Sequence, residues 1–187
     1  MRSSHQQFVI KRSMLTAIAV LMLLFVNTGH TQDVANGQAT ATILAVLSVT
    51  AAQALQFGNV FQGVMKSQDE TSDANSGIFS ITGAVSSGIS IFLSLPEYLA
   101  LADGSDRLAV AFGATDAAID SNNTTPGTVV AGDGWVDQDP HNIPAATVIG
   151  AGGQTNVYLG GKVIPSVNQS SGAYSGDVVV SVAYNGS

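Results

Sequence analysis

"ATATILAVLSVT", residues 39–50, decides how the rest of the chain is read. Its odd positions, Ala39, Ala41, Ile43, Ala45, Leu47 and Val49, are all apolar. The even positions begin and end with Thr40, Thr42, Ser48 and Thr50, with Leu44 and Val46 between them. Side chains alternate across a strand, so the stretch predicts a β-strand with one wholly apolar face and one mixed face. It carries no charge. Such a strand can close the edge of its own domain, or it can be given to a neighbouring molecule.

Downstream of it, strand signals continue. "ALQFGNVF" reads as a short strand broken by Gly58, and "KSQDETSDANSG" (66–77) as an acidic loop. "IFSITG" and "ISIFLSLP" read as two strands joined by "AVSSG". In the second, Ile89, Ile91, Leu93 and Leu95 share a face, and Pro96 stops the ladder because proline has no N–H to give it. "RLAVAFG", "TNVYLGGKVIP" and "GDVVVSVAY" follow, the last with Val178, Val180 and Val182 on one face. Residues 114–142 form the least regular region, with a short strand expected at "GTVVAG". No mature segment shows sustained helical periodicity, and short strands separated by Gly-rich turns predict an all-β antiparallel sandwich.

Upstream, the sequence reads as an export signal. Arg2, Lys11 and Arg12 precede the apolar run "MLTAIAVLMLLFV" (14–26), which is short for a membrane span and of signal-peptide length. Small residues at Gly29 and Thr31 place the cleavage near Thr31. The expected organisation is a signal peptide over 1–31 and one domain over 32–187. The protein would then be exported through the periplasm, to be secreted or held at the cell surface, with no membrane segment after cleavage.

Charge and composition narrow the function. The net charge of −7 becomes more negative once the three leader cations leave, because only Lys66, Arg107 and Lys162 then face 13 acidic residues. A surface of that sign repels nucleic acid and anionic lipid. The absence of Cys removes any disulfide framework, and His141 is the only His outside the leader region. Transition-metal sites of the usual ligands and Ser-His-Asp catalysis therefore lack their parts, and no enzymatic activity is expected. "GDGWVDQDPHN" gathers Asp133, Asp137 and Asp139, closely spaced carboxylates that suit an oxygen-liganded cation such as calcium. The commoner use of such a segment is a solvated turn. No other cofactor is implied. Trp135 reads equally as a loop anchor or a recognition residue. Asn122, Asn123, Asn168 and Asn185 each begin an N-x-[ST] pattern, which is turn chemistry in a host without glycosylation machinery.

The end of the chain carries a family resemblance. "VYLGGKVIPSVNQSSGAYSGDVVVSVAYN" resembles the closing pattern of a bacterial family catalogued as domain of unknown function 4402. Its marks here are Gly160, Gly161, Gly172, Tyr174, Ser175, Gly176, Tyr184 and Asn185. "LQFGNV", "IFSITG" and "ISIFLSLP" are similar to earlier parts of that family. The ending is also similar to chaperone–usher fimbrial subunits and spore-coat U-like domains, although it lacks their disulfide and runs past the Tyr. The resemblance implies an immunoglobulin-like, pilin-like sandwich without catalytic activity. It would serve as a subunit of an extracellular fibre or a surface adhesin-like domain. Partners would be other copies or related subunits, with a periplasmic chaperone and an outer-membrane assembly protein. Residues 39–50 would then be the donated strand. The competing expectation is a monomeric secreted binding module, for carbohydrate or another surface ligand, using Trp135 and the acidic loops.

Overall fold

A computed structural model of the chain describes residues 37–121 and 134–186. The expected signal peptide, the expected strand at 127–132, Asp133, Asn122 and Asn123 lie outside these residues. The chain divides into two units, the first ending at Ala41 and the second running from Thr42 to Ser187. In the first unit the described residues, 37–41, carry no strand. Among the described residues of the second there are strands, turns and bends, and no helix.

The fold is all-β and antiparallel. One five-stranded sheet has the order β1 (Ser48–Gln53), β3 (Gly77–Thr82), β9 (Gln154–Leu159), β7 (Ala117–Asp120), β8 (Gly134–Gln138). A second has the order β11 (Tyr174–Ser175), β5 (Tyr98–Leu101), β6 (Arg107–Ala111), β10 (Gly161–Ile164), β2 (Lys66–Gln68). The last strand, β12 (Val179–Tyr184), pairs with β4 (Ile89–Ser94).

The registers connect these last two groups. Tyr174 opposes Leu101, and Val179 opposes Ser94, so both parts of residues 174–184 run antiparallel to the parts of 89–101 that they pair with. The ladder slips by two residues where Pro96 interrupts it, as expected of a residue without an N–H.

Alternation in the sequence places the core. Ile89, Ile91 and Leu93 of β4 are buried, whereas Ser90, Phe92 and Ser94 face outward. They pack with Phe79 and Ile81 of β3, Ile119 of β7, and Val157 and Leu159 of β9. A second cluster, Leu108, Val110 and Val163, continues under β6 and β10. The inward residues of β12 (Val180, Val182 and Tyr184) are only partly buried, because no ladder covers that strand's other edge among the described residues.

Several sequence expectations change. "TNVYLGGKVIP" is two strands in different sheets. Gly160 makes the crossing, where a Cβ would lie 2.5 Å from the Gln68 carbonyl oxygen. "ALQFGNVF" is not a strand, although Gln53, Leu55 and Phe57 still alternate inward. The region 114–142 is more regular than expected. It holds β7, whose Ala117 and Ala118 are fully buried, and β8, which pairs with it.

Candidate functional site

The first strand is shifted from its expected bounds. β1 spans Ser48–Gln53, and residues 39–47 form no strand. The reason is the partner: Ser48 opposes Thr82, the last residue of β3, after which Gly83 turns the chain away. Ala51–Gln53 complete β1 through a bulge. Leu47 and Val49 do pack against the core as the odd face predicts. Ile43 is 95% exposed, and Ala45 is also exposed. Ala39 and Ala41 fall in the first unit. The expected apolar face is therefore divided between two packed residues and a segment without a ladder.

At the other end of β1 lies a groove of about 1290 Å³. One wall is Ala51 and residues 53–62; the other is the run 169–178 leading into β12. Its floor is formed by Phe79, Leu99, Leu108, Val110, Leu159 and Val163, all members of the two core clusters or packed on them. The core is thus open along one side. Backbone polarity there is also open. Among the described residues, Gln56 is the one amide between Ala54 and Gln62 that donates to another backbone carbonyl, that of Asn75. Such a slot offers both apolar surface and unpaired peptide groups, the two things an added strand supplies.

Gly172, Tyr174 and Gly176 of the closing pattern help build this wall. A Cβ on Gly172 would lie 2.6 Å from Leu101 Cδ2, and one on Gly176 would lie 2.9 Å from Leu99 Cδ2. Both positions let the wall pass close over β5. The Tyr174 hydroxyl lies 2.8 Å from Asp106 Oδ2 and 2.8 Å from the Ser170 carbonyl oxygen. Asp106 Oδ2 also accepts from Ser170 N–H and from Gln169 Nε2, each at 2.8 Å. The hydrogen bonds from Ser170 N–H, the Tyr174 hydroxyl and Arg107 N–H hold the Asp106 carboxyl well below the usual carboxylate range. Gln169 is buried, and its carbonyl accepts from the Gln62 amide, tying the two walls together at that end of the groove. Sequence reading singled out Tyr174 but missed Asp106, Gln169 and Gln62, which lie far apart along the chain.

The acidic segment is built differently from the expected loop. Asp137 lies within β8 at a positive φ of 54°, and the turn after it is closed by Asp139 Oδ1 accepting from His141 N–H at 2.9 Å. Among the described residues no three His, Cys, Asp or Glu side chains gather as a metal-binding group. Trp135 sits on β8 opposite Ile119 and is half-exposed. Glu70, not expected from sequence, is buried near Asp137. Burial pushes its carboxyl up, with the charges of Asp69 and Asp137 adding to the effect.

No protein-family model matches the chain, and no curated protein matches it.

Proposed function

We propose that the protein is a non-catalytic structural subunit of an extracellular, pilus-like fibre, exported through a signal peptide. Its pilin-like, immunoglobulin-like sandwich would be completed by a strand from another copy. The observation that carries this reading is the groove itself: an apolar floor continuous with the core, beside a wall over residues 54–62 that makes few backbone bonds.

The occupant is the segment 39–44 of a second molecule. It is uncharged, and Ile43 and Leu44 are 95% and 43% exposed, so it brings apolar surface that its own chain leaves in water. Ala45, at the base of this segment, is fixed by the Tyr184 hydroxyl. Resemblance of the closing pattern to domain of unknown function 4402 and to chaperone–usher subunits agrees with this reading, and an assembly chaperone is the further partner it implies.

A peptide of residues 37–50, added to the full-length mature protein, tests it. Strand donation predicts that the peptide raises the melting temperature by occupying the groove and stops fibre growth in electron micrographs. A peptide with neither effect, on protein that stays monomeric at high concentration, leaves the monomeric binding module as the better reading.

A further inference from the structure

We propose that Tyr184 is a clamp that roots the donated arm, so that consecutive subunits meet at a short, stiff joint; this rests on the strand-donation reading above. The Tyr184 ring packs against the core at the end of β12. Its hydroxyl accepts a hydrogen bond from Ala84 N–H at 2.7 Å and donates to the Ala45 carbonyl at 2.9 Å. One oxygen thereby joins the last strand, the turn after β3 and the base of the arm. Two neighbours complete the seat. A Cβ on Gly83 would lie 2.6 Å from that hydroxyl oxygen and 2.9 Å from Leu47 Cδ1, so only glycine leaves room for both. Asn185 holds the end of β12 in place: its N–H donates to the Gly88 carbonyl, and its side-chain amide donates to the Ala145 carbonyl.

The clamp sets where the free arm begins. Beyond Ser48 there is no ladder partner, yet the chain is held for three more residues, with Leu47 packed inward and Ala45 bonded. The free segment therefore ends at Leu44. An arm seated in a neighbour's groove up to Leu44 passes straight into the fixed residue Ala45, with no residues left over as linker. The joint between two bodies is then the clamp itself. Without the hydroxyl, the root retreats to the packed Leu47 and slack enters every joint.

Tyr184→Phe keeps the ring and removes the bond, and Gly83→Ala displaces the hydroxyl while keeping it chemically present. Amide exchange at Ala84, whose N–H the Tyr184 hydroxyl accepts, reads the clamp in the monomer, and fibre persistence length in micrographs reads the joint. The proposal expects exchange there to speed by about five- to tenfold in both variants, since each loses about one hydrogen bond's worth of protection. It also expects fibres that still form but bend several-fold more easily, while the melting temperature changes little for Tyr184→Phe. Unchanged exchange, or variant fibres as stiff as wild type, overturns the clamp and leaves strand donation standing. Wild-type protein that forms no fibres overturns strand donation and the joint with it, even if exchange at Ala84 responds as expected.

Discussion

Replacing Ile43 separates the free chain from the assembly. The side chain is 95% exposed in the single chain, so Ile43→Ala removes almost no native contact there. Monomer stability should stay within about 0.5 kcal/mol of wild type, the usual range for surface changes. In an assembly, Ile43 shares its odd-numbered parity with Leu47 and Val49, which pack on the core, and it enters the apolar groove. Burying a fully exposed Ile is worth about 2 kcal/mol. Its truncation should therefore weaken association by roughly 30-fold. Ile43→Asp should cost more, because a carboxylate would enter an apolar slot without a partner. Thr40, on the opposite face, should accept Asp with little effect on assembly. Sedimentation across a concentration series measures the association, and a thermal melt of the monomer controls for folding. Equal losses for Ile43→Asp and Thr40→Asp would refute the face assignment. Assembly unaffected by Ile43→Asp would refute insertion at this position altogether.

Other consequences follow from the walls and the core. The Asp106 carboxyl is held low by its hydrogen bonds, so its contribution is present above the ordinary carboxylate pKa of about 4 and is lost as pH falls below it. Acid should loosen residues 169–174 in amide exchange, and Asp106→Asn should flatten that response. Glu70 behaves oppositely. Its raised pKa means the charged form is disfavoured in the fold, a cost absent below the ordinary value and growing as pH rises through the folded one. Glu70→Gln should therefore raise the melting temperature at neutral pH, with the gain vanishing in acid; a loss at neutral pH would contradict it. Ile81→Ala, at a fully buried site, should cost about 3 kcal/mol in denaturant unfolding and lower the melting temperature by roughly 10 °C.

Period-two patterning made part of this molecule legible from sequence. Ile89, Ile91 and Leu93 alternate with Ser90 and Ser94, and the strand they predict is β4. β7 was illegible because Ala117, Ala118, Ile119 and Asp120 are all buried, so no alternation survives to mark it. β8 was hidden by Asp and Gly residues that usually signal turns, one of which sits at the positive φ of Asp137. The first strand was placed too early because the apolar alternation begins at Ala39, whereas the ladder begins where β3 can supply a partner, at Ser48. Of the groove, sequence revealed the Gly and Tyr residues of one wall. The floor and the Asp106 hub depend on residues brought together from β3, β5, β6, β9 and β10, which no local pattern announces.

The chain has no cysteine, so an introduced pair reports one contact alone. Mixing an Ile43→Cys variant with a panel of single variants along the wall (Ala54→Cys, Phe57→Cys, Val60→Cys) and oxidising gives the most direct measurement. Donation of the arm to another copy predicts a disulfide-linked dimer on a non-reducing gel for at least one pairing. Its yield should fall when the 37–50 peptide competes. No linked dimer from any pairing, or a link that forms only within one molecule when both cysteines share a chain, would contradict the account.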